Sequence, residues 1–279
     1  MCLNPIRKNF EIEDNKFVID WHSSGSVQAG SVIELSCGQC IECCINRSIN
    51  WAVRAVLEAR THKDNCFITL TYSKTDGELH KDDFQKFMKR LRKSIYPTQI
   101  KYIMCGEYGS KGGRPHYHAL IFGWKPKDLT YFYTSGDCPL YQSKTVEKLW
   151  GKGFITVGEI TFDTALYTSK YLQKFNRIED KCQKPYNCFS HYIGLSALQS
   201  LNYEVDGFYI RGKKYSVPRY YDKKAIDLGL ITKDELREVR KHAYRYDLRG
   251  EYERRIQKID DFEKNYQYSV DIRFDGLLE

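Results

Sequence analysis

The sequence has no apolar run near the roughly 20 residues that a membrane-crossing helix needs, and its start, MCLNPIRKNFEIED, lacks the apolar stretch of a signal peptide. A soluble, intracellular protein with no membrane partner is expected. Proline is scarce, with 7 residues, and neither an internal repeat nor a low-complexity linker is visible, which argues against wholesale disorder or a collagen-like chain. No G-x-x-x-x-G-K-[ST] segment is present, so the sequence shows no phosphate loop of a nucleotide-driven motor. What it does have is length and apolar content for a real core, 279 residues at 42% hydrophobic. Its 44 Lys and Arg against 36 Asp and Glu leave a net charge of +8. That excess says little until its placement is known. Ten Cys in a long chain without an export signal point to reduced thiols or metal ligands rather than disulfides.

Hydrophobic spacing organises the chain. Ile45, Ile49, Ala52, Val53, Val56 and Leu57 recur at helical intervals between Cys40 and about Arg60. CFITLTY (66–72) is a β-branched and aromatic run too short for a helix. Phe84, Phe87, Met88, Leu91 and Ile95 form the stripe of a second helix with a basic outer surface, and IKYIMCGEY and HYHALIFG read as strands joined through GSKGGRP. A short helix near 145–150, a strand in GFITVGEI and a helix starting near Asp163, with that carboxylate as a cap, follow. A hairpin over 207–221 and a charged helical region from Thr232 to about Lys264 complete the list, after a short alternating stretch at 16–19 in the otherwise mixed N-terminal segment. The expected class is α+β, a central antiparallel sheet with helices packed on it. The expected organisation is an N-terminal segment over 1–60 with a cysteine cluster, a main domain over 61–225, and a charged C-terminal extension over 226–279.

Three groups of residues carry chemistry. His116 and His118, two apart on a strand, share a face while Tyr117 turns away, and a hairpin pairing Glu107 opposite His116 brings a carboxylate to the same face. Two imidazoles and one carboxylate with open positions suit a catalytic divalent ion, whereas hydrogen-bonded, half-buried strand histidines are the alternative. In YTSKYLQK, Tyr167, Lys170, Tyr171 and Lys174 fall on one helical stripe. A phenol oxygen can attack phosphorus and a nearby ammonium can stabilise the charge that develops, although a surface helix with half-buried tyrosines has the same spacing. Cys37, Cys40 and Cys43, with Cys2 or Cys44 as a fourth, form a thiolate cradle for a structural zinc (Zn2+) or a set of reduced thiols at a helix start. Cys66 and Cys105 lie in strands and read as small core residues.

FITLTY, PHYHALIFG and YTSKYLQK, in this order and at these separations, resemble the three motifs of the HUH endonucleases, the rolling-circle replication initiators and their relatives. MCLNPI, CGQCIECCINRSINWAVR, GEYGSKGGRPHYH and PRYY are similar to the initiators of gokushovirus-like phages of the Microviridae. The resemblance covers most of residues 1–225. It implies an HUH endonuclease-like fold, His116, His118 and Glu107 as ligands of Mg2+ or Mn2+, Tyr167 and Tyr171 as nucleophiles, and Lys170 and Lys174 as their companions. Tyr117 departs from the family pattern, in which an aliphatic residue lies between the histidines. The implied activity is nicking of single-stranded phage DNA at the origin through a 5′-phosphotyrosine link, followed by rejoining, in the host bacterial cytoplasm, with host helicase and polymerase as partners. A single-stranded DNA binder that does not cleave, and an HUH transposase or relaxase, are the competing readings. For DNA contact the expected residues are Lys86, Lys89, Arg90 and Lys93 on the basic helix and Lys213 and Lys214 at the hairpin tip, with Arg92 and Arg219 nearby and Trp51, Tyr215 or Tyr220 stacking on bases.

Overall fold

The computed structural model describes residues 2, 4–13, 16–22, 32–109, 113–170, 183–200, 207–210 and 212–243. The chain divides into two compact units, and the division falls at Arg47/Ser48, inside α1 (Ile41–Arg60). The first unit holds β1 (Ile6–Glu13), β2 (Lys16–Asp20) and β3 (Val32–Leu35), an antiparallel sheet in the order β2-β1-β3.

The second unit is built on a seven-stranded antiparallel sheet in the order β10-β5-β6-β4-β9-β8-β7. Its strands are β4 (Asn65–Thr71), β5 (Lys101–Tyr108), β6 (Pro115–Phe122), β7 (Leu129–Ser135), β8 (Cys138–Ser143), β9 (Ile155–Gly158) and β10 (Tyr186–Phe189). The α+β expectation holds, with six α-helices among the described residues. The central strands are buried on both faces because each face is covered. Ile68, Leu70, Met104, Tyr117 and Ala119 point to one side, where α2 (Lys81–Ser94) and α3 (Lys144–Trp150) supply Phe84, Phe87, Met88, Leu91, Val146 and Trp150. Phe67, Ile103, Leu120 and Phe122 point to the other, against Ala52, Val53, Ala55 and Leu57 of α1, Phe162 and Ala165 of α4 (Phe162–Lys170), and Tyr221 and Ala225 of α5 (Arg219–Asp227). That alternation is the period-two rule of a strand applied to a sandwiched sheet.

Two expectations need correction. Asp163 lies within the first turn of α4, and the cap is Thr161, whose Oγ1 accepts from the Thr164 amide at 3.2 Å. The hairpin β11 (Gly207–Ile210) and β12 (Lys213–Ser216) stops before Tyr221, since Pro218, with φ −58°, suits the entry to α5. Within the charged C-terminal stretch, α6 spans Lys233–Ala243, and residues 244–264 lie outside the described residues. Among the described residues, no helix is long and apolar enough to cross a membrane.

Candidate metal centre and tyrosine helix

Strand pairing sets the site. β5 and β6 align Glu107 opposite His116 and Cys105 opposite His118, while β4 and β6 align Thr71 opposite His116 and Thr69 opposite His118. Directly opposed residues on an antiparallel pair share a face. Glu107, His116 and His118 therefore converge on the face that α1 and α4 cover. The loop before β9 presses against the end of β4 here: a Cβ on Gly153 would lie 2.3 Å from the Ser73 amide nitrogen, so only glycine fits.

The geometry of the three groups is tight. Glu107 Oε1 lies 2.8 Å from His116 Nε2 and 3.1 Å from His118 Nε2. The other oxygen, Oε2, is buried and has no hydrogen-bond partner. His116 Nδ1 is 3.0 Å from the carbonyl of Arg114, which can only accept, so Nδ1 carries the proton and a neutral His116 turns the lone pair of Nε2 toward the carboxylate. A lone pair facing a carboxylate calls for a cation between them, either a proton or a metal ion. Thr69 Oγ1 holds His118 Nδ1 at 3.0 Å, which aims its Nε2 at the same point. An orphaned buried oxygen beside two oriented imidazole nitrogens fits a divalent ion of the Mg2+ or Mn2+ type.

The protonation balance reflects this crowding. Burial pushes the Glu107 carboxyl up, yet hydrogen bonds from His116 and His118 outweigh it and hold it below its ordinary value. His116 is opposed by burial but raised overall by Glu107. His118 is lowered, by burial first and then by the neighbouring His116.

Tyr167 comes from α4. Thr161 caps that helix, and Ser48 Oγ on α1 donates to the Ser169 carbonyl at 3.2 Å. The Tyr167 ring meets His118 edge-on with centroids 5.0 Å apart, while Phe67 stacks on His118 at 5.6 Å. Tyr171 and Lys174 lie outside the described residues, as does the Lys170 side chain. Two contributors were not read from the sequence. Thr69 orients His118, and Arg114 anchors His116 through its carbonyl while its guanidinium donates to the carbonyls of Tyr72 and Ser73. The alternation of Phe67, Thr69 and Thr71 marked Thr69 as facing one side of the sheet, but its partner is 49 residues away.

Tyr117 faces the opposite side, as expected. Its hydroxyl lies 2.8 Å from that of Tyr72, donates to the His80 carbonyl at 2.9 Å and accepts from the His80 amide at 3.0 Å. The basic helix α2 is also on that opposite side, so Lys86, Lys89, Arg90 and Lys93 are not brought to the Glu107/His116/His118 face. Lys86 pairs with Asp82, and Arg90 donates to the carbonyls of Leu149 and Trp150 at the end of α3, whereas Lys89 and Lys93 are exposed. The Lys213 and Lys214 side chains lie outside the described residues. Trp51 and Tyr220 stack on the protein's own Arg54 at 4.1 and 3.7 Å, and Tyr215 packs on Phe162, so these rings serve internal packing and not the base stacking expected of them. In the first unit, the thiols of Cys2, Cys37, Cys40 and Cys43 gather within 4.8 Å of one another.

The family model for replication-associated proteins of the ORF2 type matches residues 65–176, which run from β4 through α4. The chain is 32% identical over 221 residues to a "Replication-associated protein ORF4" of Chlamydia phage 1, covering 72% of this chain and 55% of that protein. It is 30% identical to a "Replication-associated protein VP4" of Bdellovibrio phage phiMH2K, covering 79% of this chain and 75% of that one, and 30% identical to a "Replication-associated protein ORF2" of Spiroplasma virus 4, covering 80% and 79%. No solved structure matches. By these matches and the segment they share, the chain belongs to the replication-associated proteins of the Microviridae, the phage family of these relatives.

Proposed function

We propose that this replication-associated protein is a rolling-circle initiator, a two-tyrosine HUH-type endonuclease and strand transferase that nicks single-stranded phage DNA at the origin. The observation that carries the reading is the edge-on contact of Tyr167 with His118, in a cluster where both Nε2 atoms and a buried carboxylate converge. Glu107, His116 and His118 would hold Mg2+ or Mn2+, whose charge, when bound, polarises the scissile phosphate and offsets charge gained in the transition state. Tyr167 or Tyr171 attacks phosphorus through its oxygen and gives up its proton. The bond to the 3′ oxygen breaks, that oxygen takes up a proton, and the products are a 5′-phosphotyrosine and a free 3′-hydroxyl. The covalent link conserves the phosphodiester bond energy, so the second tyrosine can run the same chemistry for rejoining after one round of copying. Lys170 and Lys174 accompany the tyrosines. We assign this chemistry to a catalytic domain over residues 61–225, flanked by the segments 1–60 and 226–279. Unwinding and copying fall to a host helicase and polymerase in the bacterial cytoplasm.

The test is incubation with circular single-stranded phage DNA and Mn2+ or Mg2+, followed by mass mapping of the adduct. Protein attached to a 5′ end is expected, and Tyr167→Phe combined with Tyr171→Phe abolishes it. Salt-sensitive binding with no adduct under either metal identifies a non-cleaving DNA binder instead.

A further inference from the structure

We propose that Cys2, Cys37, Cys40 and Cys43 form a closed tetrathiolate zinc site that folds the first unit. Cys2 Sγ and Cys40 Sγ are 3.8 Å apart, and Cys37 Sγ and Cys43 Sγ are 4.0 Å apart. Zinc–sulfur bonds of ~2.3 Å arranged as a tetrahedron place sulfurs ~3.8 Å apart, whereas a disulfide requires ~2.05 Å. The amides of Cys37, Gln39 and Cys40 point at sulfur, at 3.3 Å to Cys2 Sγ and at 3.5 and 3.3 Å to Cys37 Sγ, which is how a backbone loop stabilises thiolate charge. Gly38, with φ +73°, makes the turn between Cys37 and Cys40, and Arg47 donates to its carbonyl at 2.7 Å. Cys44 is not the fourth ligand, because its thiol turns to the Gln39 carbonyl at 3.5 Å.

The first unit also needs such a site. Among its described residues, the only buried apolar side chains are Cys2 and Cys43, and Ile6 and Val18 are exposed. A small sheet without a core depends on a staple, and a structural metal is one. Binding converts each thiol to a thiolate and releases its proton to solvent.

The test uses the full chain purified under reducing conditions. Mass spectrometry of the metal content should give one zinc that survives His116→Ala with His118→Ala. Cobalt substitution should give sulfur-to-metal charge-transfer absorption near the ultraviolet. Cys37→Ser and Cys43→Ser should lose both, and Cys44→Ser should keep both. If these variants fail to fold, cobalt titration of the reduced, zinc-stripped wild type still decides. Absence of the thiolate band there, or equal loss in Cys44→Ser, overturns the assignment.

A different observation carries a second inference, which rests on the function proposed above: Phe154 and Phe132 are a base-stacking site for the DNA strand leading to the tyrosine helix. Glu107, His116 and Thr71 lie in one row across β5, β6 and β4, and the Thr71 amide donates to the carbonyl of Phe154, the residue before β9, at 2.9 Å. The row thus ends in Phe154, about 10 Å from His116 at the ordinary strand spacing of ~4.8 Å. Phe154 packs against Phe132 with centroids 5.3 Å apart, and both are nearly half exposed. Phe132 sits where the β7–β8 register shifts between Tyr131 and Tyr133, a bulge that re-aims a side chain. An exposed aromatic pair in line with a phosphate-handling group suits unpaired bases.

Fluorescence anisotropy with an origin oligonucleotide in chelator reads binding apart from cleavage. Phe132→Ala with Phe154→Ala should weaken it about 10-fold or more, and Phe154→Trp should retain it. An abasic oligonucleotide should bind wild type and the double variant alike. Wild-type affinity in the double variant, or a wild-type dimer that this variant makes monomeric, overturns the assignment. Loss of the adduct assay alone, with this binding pattern intact, counts against the nuclease reading and not against stacking.

Discussion

Thr69→Val is the sharpest probe of the metal centre. The substitution keeps the shape of the side chain and removes only the hydroxyl that lies 3.0 Å from His118 Nδ1. That contact fixes which nitrogen of the ring is presented, since Nε2 must face Glu107 at 3.1 Å for the three groups to share one ion. Partners of this kind typically set metal affinity by a factor of about 10–100, or roughly 1.4–2.7 kcal/mol. Folding stability should change by no more than about 1 kcal/mol, the usual net value of one hydrogen bond. Calorimetric titration of the metal-free protein with Mn2+, paired with thermal melts, separates the two effects. Affinity should fall in Thr69→Val and recover in Thr69→Ser. If Thr69→Val binds Mn2+ as tightly as wild type, the stacking of Phe67 on the His118 ring suffices to orient it, and the argument from the hydroxyl is wrong.

Glu58, fully buried, accepts from the Gly194 amide at 2.6 Å and lies 2.8 Å from both Lys101 Nζ and His62 Nε2. Burial opposes its charge, but Lys101, His62 and the amide together lower its pKa. A lowered folded-state pKa contributes stability above the unfolded value of about 4.3 that is lost as pH falls through the folded one. Glu58→Gln should therefore cost about 3 kcal/mol in urea unfolding at neutral pH, with the gap to wild type narrowing below about pH 4. Tyr117→Phe breaks the hydroxyl network with Tyr72 and His80 and should cost about 1–3 kcal/mol in the same assay while leaving Mn2+ affinity unchanged, because that ring faces away from the cluster. Gly153→Ala should lower the melting temperature and slow nicking together, since the added methyl meets backbone atoms of β4 beside the site; a variant that matches wild type in both would show that the loop before β9 yields freely.

The parts of this fold legible in the sequence are those whose burial is periodic. α1, α2 and the strands β4, β5 and β6 have apolar residues that repeat at helical spacing or fill both faces of a covered sheet, and the register of Glu107 with His116 follows once the hairpin is assumed. β7 and β8 left no such trace. β7 sits at the sheet edge with most of its side chains in solvent, so Thr, Tyr and Phe in LTYFYTS do not alternate with burial. Chemistry that depends on partners distant in sequence was equally hidden: Thr69 for His118, and Arg54 claiming Trp51 and Tyr220. The positive charge of the second helix was legible, but not that it would lie across the sheet from the histidines. Its stripe fixes which side is buried and says nothing about which layer it joins.

The pairing of β5 with β6 makes the centre a matter of parity. Deleting one residue inside either strand would swap inward for outward along its remaining length, sending an imidazole or the carboxylate into the opposite layer and drawing a hydrophobe into its place. Deleting two would restore the orientation yet shift every partner by a full step along the ribbon. Point changes can erode such a centre gradually, but a change in strand length removes it at once, and its inheritance is therefore bound to an unaltered count of residues from Glu107 to Tyr108 and from Pro115 to His118.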